Sequence, residues 1–334
     1  MPTRSLPGTT DRRMDALLTL LSENPMIVIS GERIAREIGV TRSSVWRWTQ
    51  KLRALGVAVK GHARTGYQIE SMPDVLSPSL LRRQLHQSIF GKHIHHYFKA
   101  GSTNSIALEL GRSGEPHGTV VIAEEQTAGR GRSGRSWHSE KTAGIYLSVL
   151  LRPAISPLSA PIIPLLAGLA VRDAILEEID IAPDLRWPND LLMGGQKFCG
   201  ILTEMHAEPD RVHFLVIGIG LDVNHAKMPP ELAGIATSLR MATGKTYSRM
   251  KILARLLRYL ETYYNRFLAE GPQPILARFA EVSTFAKGKH VRIVTVTETY
   301  TGITDGLEPN GLLRVRRDNG VVTTVISGDV SEAR

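Results

Sequence analysis

Residues 129–137 read GRGRSGRSW, with three glycines and three arginines (Arg130, Arg132, Arg135) in the first seven positions. Glycine lets a backbone approach a ligand closely and adopt positive φ. Arginine supplies fixed, fork-shaped donors for carboxylate and phosphate. Together they describe a mobile loop that closes over an anion. The spacing Gly129-x-Gly131-x-x-Gly134 also matches the dinucleotide fingerprint, which needs a strand before it and a helix opening directly after it. The strand is there in 118–126 (GTVVIAEEQ). The helix is not: Trp137 is followed by HSEKTAGIYLSVLLRP, a loop and then a second strand. This loop therefore joins two strands and does not open a Rossmann helix.

Composition sets the outer limits. The chain has 334 residues, room for two or three domains and a sizeable core. Its 42% hydrophobic and 22% charged residues are ordinary for a globular protein. The one cysteine, Cys199, excludes an intrachain disulfide and any cysteine-based zinc site. The start, MPTRSLPGTTDRR, lacks the apolar core of a signal peptide. Apolar runs such as 161–171 are shorter than a membrane span. A cytoplasmic protein with no membrane partner is expected. The net charge is +9, and residues 1–70 carry eleven Lys/Arg against six Asp/Glu. That asymmetry points to a polyanion partner for the N-terminal part.

Residues 1–12 read as a disordered lead. Met14, Leu17, Leu18 and Leu21 share one helical face. A second helix is expected over about 32–38, with Ile34, Ala35 and Ile38 inward, then a turn at Gly39-Val40. Thr41 caps a third helix over about 42–55, with Val45, Leu52 and Leu55 inward, helped by Trp48 or Thr49. The other face carries Arg42, Ser43, Ser44, Trp46, Arg47, Gln50 and Lys51, and no acid. Residues 57–69 (VAVKGHARTGYQI) then form a hairpin bearing Lys60 and Arg64. This is a winged helix-turn-helix with a basic recognition helix, expected to bind DNA through Arg42, Ser43, Ser44, Arg47, Lys51, Lys60 and Arg64.

Residues 71–78 read as a linker, followed by a helix over about 78–87. His93, His95 and His96 do not make a metal site, because the adjacent pair cannot face the same way on a strand. Residues 101–104 (GSTN) end a strand and cap a helix over about 105–110. Beyond the glycine–arginine loop come a strand at 144–151 and an apolar helix over about 159–178. A hairpin through Gly194-Gly195 follows 185–190 (LRWPND) and places Lys197 at the start of a strand, near Asn189 and Asp190. Residues 212–224 form an apolar strand interrupted by Gly218 and Gly220, where a ligand or another backbone approaches closely. Residues 225–246 read as one long loop. Its Gly244-Lys245-Thr246 does not complete a P-loop, since the first glycine would fall on Leu239. Helices over about 248–269 and 273–282 precede a tail of strands at 291–296, 300–302, 312–316 and 321–327, a small β-barrel domain.

Ser102-Thr-Asn104, Gln126 with 129–137, Arg186-Trp-Pro-Asn-Asp190, Lys197-Phe-Cys-Gly-Ile-Leu202 and 218–224, in this order, resemble a bacterial biotin protein ligase of the kind that also represses the biotin operon. The likeness runs from about Met14 to the end. Two positions depart from the family pattern: Arg186 stands where lysine is common, and Asp222 where asparagine is usual. The resemblance implies an α+β fold: an N-terminal winged helix-turn-helix (1–70), a central mixed-sheet α/β ligase domain of the class II aminoacyl-tRNA synthetase-like type (71–284), and a C-terminal small SH3-like β-barrel (285–334). It implies a ligase that joins biotin and ATP into biotinyl-5′-AMP and passes biotin to a lysine of the biotin carboxyl carrier protein of acetyl-CoA carboxylase. The adenylate would also be corepressor for a homodimer on operator DNA.

Residue by residue, the resemblance assigns biotin to Ser102, Thr103, Asn104, Gln126, Gly129, Arg130, Arg132, Lys197, Gly200 and Gly218. It assigns the nucleotide to Arg132, Arg135, Trp137, Asn189, Lys197, Asp222 and Asn224. Lys197, Arg132 and Asp190 become the catalytic set, with Asp190 a candidate for Mg²⁺ or for the incoming lysine. The residue types suit the chemistry, since two anionic substrates need cations to offset their repulsion. Residues 129–137 would close over biotin and about 225–239 over the adenylate. A regulator that only senses a metabolite, a ligase that no longer binds an operator, and a lipoate ligase of the same fold are the competing readings.

Overall fold

The computed structural model describes residues 9–25, 27–54, 56–62, 64–70, 74–85 and 87–333. The N-terminal unit is three helices and a hairpin: α1 (Thr9–Glu23), α2 (Gly31–Ile38), α3 (Arg42–Ala54), β1 (Val59–His62) and β2 (Gly66–Ile69). Ser30 caps α2 by accepting from Arg33 N, and Gly39 ends it in the left-handed region at φ 68°. Thr41 Oγ1 accepts from Ser44 N at the start of α3. Met14, Leu17, Leu18 and Leu21 meet Ile34, Val45, Trp48 and Leu52 in one core, closed by Val59 and Ile69 of the hairpin. Both Trp48 and Thr49 turn inward, and the Thr49 hydroxyl donates to Val45 O at 2.8 Å. The lead expected over 1–12 is helical from Thr9; residues 1–8, Leu55 and linker residues 71–73 lie outside the described residues.

The central unit begins with α4 (Pro78–Gln84), which stops three residues earlier than expected, β3 (Ile94–Tyr97), α5 (Thr103–Arg112), β4 (Thr119–Ala123) and β5 (Gly144–Leu151). It continues with α6 (Ile162–Ile179), β6 (Asp184–Arg186), β7 (Asp190–Met193), β8 (Gln196–Ala207), β9 (Val212–Asp222), α7 (Leu239–Thr243), α8 (Arg249–Glu270) and α9 (Gln273–Val282). The seven strands lie in the order β3-β4-β5-β9-β8-β7-β6, antiparallel except for β3 beside β4. Alternation divides the two faces. Ile145, Leu147 and Val149 of β5 and Leu215, Ile217, Ile219 and Leu221 of β9 point into the main core with α6, α8 and α9. Leu150, Phe214 and Val216 point the other way, against Ala107 and Leu110 of α5. Farther along that second face the strands carry Gly144, Ser148, Gly218, Gly220 and Gly200, and the face becomes hollow.

The span Pro157–Ile179 is long and apolar enough to cross a membrane, more so than the run at 161–171 suggests; 61% of its apolar window is buried in the protein. The C-terminal unit is an antiparallel sheet of β10 (Lys287–Val294), β11 (Thr299–Leu307), β12 (Leu313–Arg317), β13 (Val322–Val325) and β14 (Asp329–Glu332), ordered β13-β12-β11-β10-β14. The last strand was not expected from the sequence. Ile293, Leu313 and Val315 join the main core, and Trp187 Nε1 donates to Gly311 O at 2.9 Å. Observed as a whole, this is an α+β chain with an N-terminal helix-turn-helix, a central domain of helices on a mixed sheet and a C-terminal β-sheet domain.

Arg249, fully buried at the start of α8, binds the linker to the central sheet. Its Nη1 lies 2.7 Å from Glu124 Oε2 and 3.0 Å from Gly144 O, and its Nε lies 3.0 Å from Asp74 Oδ2. Glu124 also accepts from Leu76 N at 2.7 Å and meets His96 Nε2 at 3.2 Å. Burial works to raise the Glu124 carboxyl, but Arg249 and His96, with the Leu76 amide, outweigh it and hold the group at about 2. A depressed folded value gives stability that is present above about pH 4.5 and is lost as pH falls from there toward 2. Glu124→Gln is expected to cost about 3–5 kcal/mol, the penalty for leaving a buried partner charge uncompensated, and to flatten that acid limb. Urea unfolding at pH 7 and pH 4 measures both; equal stabilities for parent and variant would show that Arg249 does not depend on this carboxylate.

Candidate active site and nucleic-acid interface

The hollow face of the central sheet has a glycine floor. Gly200 of β8 and Gly220 of β9 are direct cross-strand partners, and Gly218 faces Ser148 and Leu202. A Cβ on Gly220 would sit 2.4 Å from the Trp137 indole, one on Gly200 2.9 Å from it, and one on Gly218 2.1 Å from Asn104 Oδ1. The close approach read from the sequence is thus made by two side chains. Above this floor is a cleft of about 360 Å³, within the size range of small-molecule sites.

One wall is polar and neutral. Ser102 stands at the N-cap of α5 but makes no side-chain cap. Gln126 Oε1 takes the Thr103 amide instead at 2.8 Å, while its Nε2 donates to Ser139 Oγ at 3.0 Å. Ser148 Oγ lies 2.8 Å from Thr103 Oγ1 and 2.6 Å from Asn104 Oδ1. The rest of the lining carries the cations. Arg130 meets Glu204 at 2.6 Å, Arg135 meets Asp329 at 2.6 Å, and Lys197 Nζ meets Asp190 Oδ1 at 2.5 Å. Arg132 hydrogen-bonds to neutral partners, Asn189 Oδ1 at 2.8 Å and Gly328 O at 3.4 Å. Burial works to raise the Asp190 carboxyl, but Lys197 and Arg186 prevail and hold it below the usual range. Asp222 differs: burial, little opposed by Lys197, pushes its carboxyl well above the ordinary value. His225 is pushed down to about 4 by burial and by the charges of His138 and Arg249.

Of the residues expected in the site, Ser102, Thr103, Asn104, Gln126, Arg130, Arg132, Arg135, Trp137, Asn189, Asp190, Lys197, Gly200, Gly218 and Asp222 line this one cleft. Gly129 and Asn224 do not. Gly129 sits at the foot of the loop, where its carbonyl accepts from Trp137 N at 2.9 Å. Asn224 holds the backbone of Tyr247 in both directions. The long loop expected over 225–246 contains α7, and part of it pairs with the lysine strand: Lys197 N donates to Ile235 O and Thr237 N to Lys197 O. Sequence reading missed residues 328–331 of the C-terminal sheet, which line the cleft, and Ser148 and Glu204, which hold the lining residues Thr103, Asn104 and Arg130. Ser148 carried a signal, being the only small polar residue in the apolar strand GIYLSVLL. Residues 328–331 carried none.

On the N-terminal unit, Arg42, Ser43, Arg47 and Lys51 are exposed along one face of α3, with Trp46 59% exposed and Ser44 half-buried. Lys60 and Arg64 are exposed on the hairpin. Lys60 lies 3.6 Å from Glu70, a weak exposed pair. Arg53 turns away from that face and donates to Val59 O at 2.8 Å, joining α3 to the hairpin.

A cation-walled cleft beside a neutral polar pocket, joined to a basic helix-turn-helix, defines an enzyme for anionic small molecules attached to a nucleic-acid-binding module. The family model described as the Biotin/lipoate A/B protein ligase family matches residues 98–222, an HTH domain matches 12–68, and the Biotin protein ligase C terminal domain matches 288–331. The bifunctional ligase/repressor BirA of Bacillus subtilis is 37% identical over 316 residues, 94% of this chain and 97% of that protein. The biotin–[acetyl-CoA-carboxylase] ligase of Mycobacterium tuberculosis is 37% identical over 273 residues, 78% of this chain and 98% of its own. Among solved structures, the biotin protein ligase from Aquifex aeolicus in complex with biotin and ATP aligns with a TM-score of 0.62 at 29% identity, over 72% of this chain and 98% of that one. The chain belongs to the biotin protein ligase family.

Gly220→Ala tests the floor. The added methyl meets the indole at 2.4 Å, and β5 and β8 flank the strand, so Trp137 must move. Near-UV circular dichroism is expected to change while the far-UV spectrum stays the same. An unchanged near-UV spectrum would mean that Trp137 does not rest on this strand.

Proposed function

We propose that this chain activates biotin with ATP and transfers it to a lysine of the biotin carboxyl carrier protein of acetyl-CoA carboxylase, and that it represses the biotin operon. One observation carries the catalytic half: Arg130, Arg132, Arg135 and Lys197 line one cleft together with the neutral polar residues Ser102, Thr103, Asn104 and Gln126, over a glycine floor. In the first step a biotin carboxylate oxygen attacks the α-phosphorus of ATP, and pyrophosphate leaves. In the second the carrier lysine attacks the acyl carbon, and AMP leaves. Ser102, Thr103 and Gln126, with Asn104 beside them, suit the ureido head, since they offer both donors and acceptors. Arg130, Arg132 and Lys197 offset the repulsion between carboxylate and phosphate. Asn189, Arg135, Trp137 and Asp222 border the nucleotide side. Asp190 holds Lys197 in place and lies where the incoming lysine would arrive.

Mg²⁺ at Asp190 does not fit the residues present. Asp190 Oδ2 is 2.8 Å from Arg186 and Oδ1 is 2.5 Å from Lys197, so an inner-sphere cation would have to displace one of them. No step is routed through the metal. The finer fold reading, a synthetase-like central domain (71–284) between a winged helix (1–70) and an SH3-like barrel (285–334), belongs to this proposal. It is supported by the strand order and by the matched segments. So do the cytoplasmic location, the corepressor role of biotinyl-5′-AMP and the homodimer on DNA.

ATP–pyrophosphate exchange with biotin and with lipoate in parallel separates the ligase from its lipoate-specific alternative and from a pure sensor. Lys197→Ala is expected to lower biotin-dependent exchange about 100-fold, the effect of removing one charge-stabilising donor, with biotin affinity within about tenfold of the parent. A normal rate removes Lys197 from the mechanism. On the DNA side, Arg47→Ala is expected to weaken operator retardation by about 1–3 kcal/mol and leave biotin transfer unchanged. Retardation equal to the parent's, with and without biotin plus ATP, would remove α3 from operator recognition.

A further inference from the structure

Beside the cleft, two buried polar atoms face each other without a hydrogen-bond partner. His225 is fully buried and its Nδ1 has no hydrogen-bond partner; Asp222 Oδ1, 3.6 Å away, has none either. Tyr146 fixes the ring's tautomer. Its hydroxyl donates to Glu140 O at 2.8 Å, which leaves its oxygen to accept from His225 Nε2 at 3.3 Å. The proton is therefore on Nε2, and Nδ1 presents a lone pair. Leaving such a group unsatisfied in the interior is costly. The His138 ring lies alongside, with centroids 5.8 Å apart. One ligating atom from each of His138, Glu140 and His225 lies within 4.8 Å of the others.

We propose that His138, Glu140 and His225 bind a divalent transition metal of the zinc type. Two imidazoles and a carboxylate are a donor set that such ions take with a coordination position left open. Ligands at about 2.0–2.2 Å from zinc stand roughly 3.5 Å apart, so closing the site needs a shift on the order of 1 Å. His138 and Glu140 are exposed and can make it, while the buried His225 ring is hydrogen-bonded to Tyr146. His138 follows Trp137 directly, and His225 opens the segment that pairs with Lys197. The ion would thus fasten the glycine–arginine loop to the 225–238 segment at the mouth of the cleft. The next residue after Glu140, Lys141, donates to Ala54 O at the end of α3, so the fastened stretch also touches the recognition helix. The site rests on these side chains and not on the identity of the substrates.

The test uses the untagged full chain, stripped with chelator and titrated with Co²⁺ for its ligand-field absorption and with Zn²⁺ by calorimetry. One equivalent of tight binding is expected. His138→Ala and Glu140→Gln, both at exposed positions, should each weaken it about ten- to a hundredfold. His213→Ala, which alters the surface pair His206–His213 on β8 and β9, should not. Zn²⁺ should also slow hydrogen exchange across residues 225–238 in the parent and not in His138→Ala. Absence of tight binding overturns the proposal. So does binding that survives His138→Ala and is lost in His213→Ala, the mark of an adventitious surface ion. Binding without slowed exchange overturns the fastening of the two segments.

Discussion

The buried pair of Arg249 and Glu124 is the interaction on which the site geometry depends. An ion pair with both partners fully buried gains little net energy over a well-packed apolar pair, because desolvation offsets the attraction. Its effect here is geometric. Arg249 can satisfy its donors only if Asp74 of the linker, Glu124 after β4 and Gly144 of β5 converge on it. Glu124 in turn draws in the Leu76 amide and His96 of β3. The feet of the glycine–arginine loop are fixed by the same knot: Thr142 N donates to Glu124 O, and Asn224 N to Ala143 O. Between these ends the loop is held by side chains alone: Arg130 on Glu204, Arg132 on Asn189 and Arg135 on Asp329.

The charge arrangement in the cleft gives the empty pocket a stable form without filling it. Arg130, Arg135 and Lys197 each rest on a carboxylate, from β8, β14 and β7 respectively. An entering anion competes with those partners, and the exposed pairs with Glu204 and Asp329 yield easily in high dielectric. Asp190 is more deeply buried and held ionised between two cations, so the Lys197 pair yields least. Arg132 has only neutral oxygens in hydrogen-bond reach, and a guanidinium stays protonated in any protein environment. Asp329 and Asp190 act on its charge without pairing with it, and it stands near the centre of the loop.

Local signals made much of this legible in the sequence. The helix-turn-helix could be read because its turn at Gly39 and its cap at Thr41 act over three or four residues. Gly218 and Gly220 were legible as breaks in the apolar run of β9. The hairpin at Gly194-Gly195, with both φ values positive, was fixed by turn chemistry. What stayed hidden depends on contacts far apart in the chain. Arg130 meets a residue 74 positions away and Arg135 one 194 away, and no periodicity predicts such pairs. The strand β14, four residues with only Val330 buried, is too short to carry a pattern. Residues 225–246 read as a loop because their order comes from pairing with Lys197, a tertiary contact. The departure at Asp222 was visible as a letter, but its meaning depends on burial beside His225.

The seven residues from Trp137 to Ala143 show how these constraints meet. Trp137 lies on the glycine floor, Ser139 accepts from Gln126, and the Glu140 carbonyl accepts from Tyr146. Lys141 reaches the last turn of α3, and Thr142 is tied to Glu124. Thr142 has φ 58°, a conformation that β-branched residues avoid at a cost of about 1–3 kcal/mol. Such a residue persists only where its surroundings over-determine it, and here the Glu124 carbonyl on one side and Gly144 under Arg249 on the other do so. The stretch therefore cannot swing as an open loop. Displacing Trp137 from the floor pulls on 138–141 ahead of the tied Thr142. The contacts at Ser139, Glu140 and Lys141 are the ones that must then lengthen.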